Sequence, residues 1–75
     1  MIQTAFGKAV RHFREQLGIS QEELALRCGL HRTYISDIER GHRNVGLLNI
    51  EAIANGLSIS LEELFIEVTR IKSSN

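Results

Sequence analysis

The residues best equipped to recognise another molecule lie between Arg32 and Asn44. They surround a run whose apolar stripe is thin, mainly Ile35 and Ile38. A helix with two buried anchors and a hydrogen-bonding outer face is built to be touched by something. Arg32 and Thr33 fall on its first turn. An arginine fork there fits guanine O6 and N7, and a threonine offers hydroxyl and methyl to a base edge. Ser36, one turn later, could meet a base or a phosphate. Arg40, Arg43 and Asn44 flank Gly41 and carry donors suited to phosphate oxygens. The plainer alternatives are solvated arginines and a capping threonine. Asp37, in their midst, would repel phosphate; pairing with a neighbouring arginine suits it better than accepting from a cytosine amino group.

Other chemistries find little support. Cys28 and His31 form one Cys-x-x-His pair, without the two further ligands of a structural zinc site. No Ser-His-Asp set, paired carboxylates or glycine-rich phosphate loop occurs, so no catalytic residue, cofactor or metal is expected and the chain is read as a non-enzyme. A single cysteine suits a reducing cytoplasm. No apolar run reaches the roughly 18 residues of a membrane span, and the N-terminus lacks the apolar segment of a signal peptide. Formal net charge is 0 over 75 residues, which by itself speaks against a nucleic-acid partner. Its distribution speaks for one: residues 1–43 hold seven Lys/Arg against five Asp/Glu, and residues 44–75 two against four. His12, His31 and His42 add to the basic part when protonated.

Five helices must position these groups. Phe6, Ala9, Val10, Phe13 and Leu17 recur at helical spacing over about 3–17, and Gly18 stops that helix. Ser20-Gln21-Glu22-Glu23 reads as a capping box opening a second helix that runs to about Cys28, with Leu24, Ala25 and Cys28 inward. Gly29 stops it. The third helix starts near His31 or Arg32 and ends near Arg40-Gly41. A fourth covers about Leu47 to Gly56. Ser60-Leu61-Glu62-Glu63 is a second capping box opening a fifth, which continues to about Val68–Ile71. No useful period-two alternation appears, so the class is all-α. One domain is expected over 1–71, with a polar tail at 72–75.

Gln21-Glu22-Glu23-Leu24-Ala25, then Gly29, then Tyr34-Ile35-Ser36 with Ile38-Glu39-Arg40-Gly41 resembles the Cro/lambda-repressor-like (Xre-type) helix-turn-helix family. Leu48, Ile50, Ile53-Ala54 and Leu57, followed by Ser60 and Leu64-Phe65, look like its fourth and fifth helices. Within the family, His31 to Ser36 together with Arg43-Asn44 is similar to the controller proteins of restriction–modification systems. The physics agrees: two short helices joined by a tight turn cross steeply, and the second fits the major groove.

The resemblance implies a five-helix, sequence-specific transcriptional regulator. It implies that Gln21 bonds a phosphate beside the second helix's N-terminus, where amide donors favour an anion; the alternative is an ordinary polar first-turn residue. Tyr34 is expected to point its hydroxyl at the DNA backbone while packing at the core's edge. Glu39 is expected to pair with an arginine of the first helix, Arg14 or Arg11. Glu22 matches a position that touches RNA polymerase sigma factor in family activators, although a first-turn glutamate also suits the helix dipole.

The C-terminal apolar residues outnumber what one small core needs. Ile59, Leu64, Phe65, Val68 and Ile71 are therefore expected at a homodimer interface, as the resemblance also implies. The dimer would bind double-stranded operator DNA at half-sites roughly 34 Å apart, with tetramers on DNA as a further step. The controller resemblance implies activation and later repression of its own operon. A phage-type repressor or an antitoxin-like interaction module are the competing readings.

Overall fold

The computed structural model describes residues 1–74, and five helices account for most of them: α1 Ile2–Leu17, α2 Gln21–Cys28, α3 Arg32–Glu39, α4 Leu47–Gly56 and α5 Leu61–Ser73. Among the described residues there is no strand. α5 runs on through Lys72 and Ser73, two residues into the expected polar tail.

Local chemistry sets the helix boundaries. Gly29 takes φ 69° and closes α2, its N–H reaching Leu26 O while Leu30 N–H returns to Ala25 O. A side chain with a Cβ is strained in this left-handed conformation, so glycine makes the tight α2–α3 turn possible. Ser20 caps α2 by accepting from the Glu23 amide at 3.0 Å. The expected box is only half formed, because the Glu23 carboxylate pairs with Arg27 at 3.1 Å on the exposed side of the helix. The Ser60–Glu63 box is complete, with both reciprocal bonds present.

α1 lies against α5 and α3, while α2 packs on α3 and α4. Val10, Leu24, Ile35, Ile38, Ile53, Leu57, Leu64 and Val68 are the largest fully buried side chains where these helices meet. Ile35 and Ile38 anchor α3 as the thin stripe required. Gly7 supplies the second feature that places α3: a Cβ there would overlap the carbonyl oxygens of Ile38 and Glu39. Its absence lets the backbone of α1 reach the end of α3.

The residues expected at a dimer interface differ in burial at α5. Leu64 and Val68 are sealed in the chain's own core, and Ile59 and Ile71 pack against it. Leu64, Val68 and Ile71 follow helical spacing and form an inward stripe, while Leu61 is 42% exposed. Of the five residues expected at an interface, Leu64 and Val68 are buried, Ile59 and Ile71 are half-buried, and Phe65 is exposed beside Ile66, which is 61% exposed.

Candidate nucleic-acid interface

α3 presents one face away from its anchors. Arg32 and Thr33 are exposed on its first turn, and Ser36 is half-buried one turn on. His31 occupies the N-cap without a side-chain cap bond, and the first turn holds no acidic residue. By contrast, α2 and α5 each begin with a capping serine and two glutamates. The N-terminus of α3 therefore keeps its amide donors and its positive dipole end uncompensated.

Beneath α3 lies the most buried ion pair among the described residues. Arg14 of α1 donates from Nε to Glu39 Oε2 at 2.7 Å and from Nη2 to Oε1 at 3.0 Å. Its Nη1 also donates to Ile19 O at 2.9 Å. Side-chain exposure is 13% for Arg14 and 4% for Glu39. The hydrogen bond to Glu39 holds the Arg14 guanidinium above its ordinary pKa against the opposing effect of burial. The arginine expected for Glu39 is thus Arg14; Arg11 pairs with Glu15 at the surface. Gln21 joins the same cluster, its Nε2 donating to Glu39 Oε1 at 3.1 Å. Its amide is tied to the scaffold through one hydrogen and keeps the other.

The loop side of α3 carries a second network. Asp37 accepts from Arg40 on Oδ1 and from Arg43 on Oδ2, the intramolecular pairing expected of it. Arg40, then Arg43, hold its carboxyl below the usual range. The Arg43 guanidinium sits 5.2 Å from the centroid of the Tyr34 ring, within reach of a cation–π contact. Asn49 of α4 donates from Nδ2 to the Tyr34 hydroxyl oxygen at 3.1 Å. With that oxygen accepting, the hydroxyl hydrogen is left to donate elsewhere. Asn44 is exposed in the loop, and Glu22 is exposed on the first turn of α2.

The arginines of the chain sort by partner. Arg11, Arg14, Arg27, Arg40, Arg43 and Arg70 each pair with a carboxylate. Among the described residues, Arg32 alone has none. A cation left free at the positive end of a helix is placed against that helix's own electrostatics, as a group intended for an external acceptor would be. Two residues that the sequence reading did not single out complete the site: Asn49, a lone amide in the otherwise apolar start of α4, and Gly7, a glycine inside a helical pattern.

Cys28 is half-buried against the core, and burial pushes its thiol up to about 11. No three His, Cys, Asp or Glu side chains gather into a metal-binding group among the described residues. No helix there is long and apolar enough to cross a membrane.

A helix-turn-helix family model matches residues 10–64, which spans α2, the glycine turn and α3. Control protein C.BamHI of Bacillus amyloliquefaciens is 53% identical over 64 residues, covering 84% of this chain and 79% of its own. This chain belongs to the helix-turn-helix family, and within it to the controller proteins. Control protein C.MunI of a Mycoplasma species is 44% identical over 70 residues, covering 92% of this chain and 95% of its own. In three dimensions the chain is similar to the restriction–modification controller protein C.AhdI of Aeromonas hydrophila. The TM-score is 0.82 at 46% identity, covering 84% of this chain and 96% of that one. Wild-type controller protein C.Esp1396I superposes with a TM-score of 0.93 at 31% identity, covering 100% of this chain and 97% of that one. Five helices, no strand among the described residues, and a helix-turn-helix at their centre are thus common to sequence, structure and family.

Proposed function

We propose that this controller-family chain regulates transcription by seating α3 in the major groove of operator DNA. The observation that carries this reading is the exposed Arg32, free of any carboxylate partner among the described residues and standing on the uncapped first turn of α3. Arg32, Thr33 and Ser36 read base edges. Gln21, Tyr34, Arg40, Arg43 and Asn44 meet the backbone, Tyr34 through the hydroxyl hydrogen that Asn49 leaves unused. Glu22, exposed on α2, is the contact for RNA polymerase sigma factor. The protein acts in the cytoplasm, switches its own operon on and then off, and needs no catalytic residue.

The functional unit is a homodimer that can pair further into tetramers on DNA. Phe65 and Ile66 expose an apolar face of α5, and Leu47 and Leu48, at 78% and 81% exposure, do the same at the start of α4. Phe65 also lines a cavity of about 120 Å³ with Ile2, Phe6, Val45 and Ile50.

Titration of a duplex from the chain's own upstream region, with random DNA as competitor, tests the reading. Tight, competitor-resistant binding at two chains per site is expected. Arg32→Ala should weaken operator binding by about 1–3 kcal/mol and relax discrimination at one base pair. Equal weakening on operator and random DNA would overturn the role given to Arg32.

A further inference from the structure

Asp37 holds two cations at once. Its Oδ2 accepts from Arg43 Nη2 at 3.2 Å and Nε at 3.3 Å, while Oδ1 accepts from Arg40. The carboxylate is 19% exposed, and the arginines that fold over it are 60% and 50% exposed. Arg43 is further held by the Tyr34 ring. Both arginines beside the reading helix are therefore turned onto one acid in the free chain, and the trio carries a net single positive charge.

We infer that Asp37 restrains the sequence-independent part of DNA affinity by sequestering Arg40 and Arg43, a role that rests on the operator-binding reading. Non-specific binding draws its free energy from cations that neutralise phosphates and release counterions. A cation already facing a carboxylate only exchanges one anion for another. Arg32 stays outside this restraint, so the base-reading group is free while the backbone-binding groups are checked. A formal net charge of 0 fits a protein whose non-specific attraction is held down in this way.

The test is fluorescence anisotropy of a labelled random-sequence duplex across salt, with wild type, Asp37→Asn, Arg40→Gln/Arg43→Gln and the triple variant. Removing one negative charge should steepen the slope of log K against log salt by about 0.9 per bound chain, and tighten binding by about eightfold per chain at about 0.1 M salt. In the triple variant, the Asp37→Asn step should change binding less than about twofold, because the arginines it released are gone. Random-DNA binding and slope unchanged in Asp37→Asn would overturn the proposal. So would an equal gain with the arginines absent, which would mean plain repulsion of phosphate by Asp37. Thermal melts establish folding, and Asp37→Ser supplies the same readout if the asparagine variant fails to fold. A wild-type chain that prefers no DNA sequence defeats the operator reading but leaves this comparison on random duplex intact.

Discussion

Glu39→Gln probes the scaffold beneath the reading helix with little change of shape. The carboxylate accepts three bonds, two from Arg14 and one from Gln21. An amide can offer one oxygen, so an NH2 group must face a donor, either Arg14 Nε or the pair on Oε1. The arginine stays behind, 13% exposed and without its counter-charge. Removing one partner of a buried ion pair costs about 3–5 kcal/mol. A chain of 75 residues has roughly 4–11 kcal/mol in total at about 0.05–0.15 kcal/mol per residue. Near 4–8 °C per kcal/mol for a domain of this size, the melting temperature should fall by at least about 12 °C. Circular dichroism melts would measure this. Glu15→Gln is the control: its pair with Arg11 is exposed, at 63% and 56%, and should matter by under about 1 kcal/mol. Arg14→Met/Glu39→Leu should recover much of the loss, since an apolar pair needs no desolvated charge. If Glu39→Gln melts within about 1 kcal/mol of wild type, the pair does not pin α3 and the reasoning fails.

Further outcomes follow from the same physics. Arg32→Glu puts a negative charge at the positive end of α3 and should stabilise the fold by about 0.3–1 kcal/mol while abolishing operator binding, measured by melts and anisotropy; a destabilised variant would contradict the dipole argument. Ile66→Glu should shift the dimer to monomer in sedimentation, whereas Leu26→Glu on the exposed side of α2 should not. The Cys28 thiol, raised to about 11 by burial, should titrate near there in alkylation-rate profiles; titration near the free value of about 8.5 would refute its burial. Because the folded thiol keeps its proton above the pH at which the unfolded one loses it, stability should fall as pH rises between those two values.

Helix periodicity, glycine stops and serine caps made the five helices legible, because each is a local signal. The partner of Glu39 was narrowed to two arginines by resemblance, and packing chose Arg14, whose guanidinium is shielded between α1 and α3. Counting apolar residues on α5 did not separate those the chain buries itself from those it exposes. Leu64, Val68 and Ile71 share one side of the helix, whereas Phe65 and Ile66 lie on the other, with Glu62 and Thr69. Helical spacing carries that distinction. The Asn49–Tyr34 bond was not legible, since it joins α3 to α4 through a contact 15 residues apart.

α3 is assembled against its own local stability. It lacks a side-chain cap, has no acid in its first turn and begins with an arginine, three choices that each weaken a short helix. Eight residues would not hold as a helix alone in water. The compensation comes from below, through Ile35, Ile38, the close approach at Gly7 and the buried Arg14–Glu39 pair. The electrostatics divide the same way. Under α3, opposite charges are buried together and fix its position; on its loop side, Asp37 quiets two arginines that would otherwise attract any phosphate; at its tip, one arginine is left open. A helix held by its scaffold rather than by its own ends can spend its first turn on an external partner. That is why a helix with little local support can be the one proposed to enter the groove.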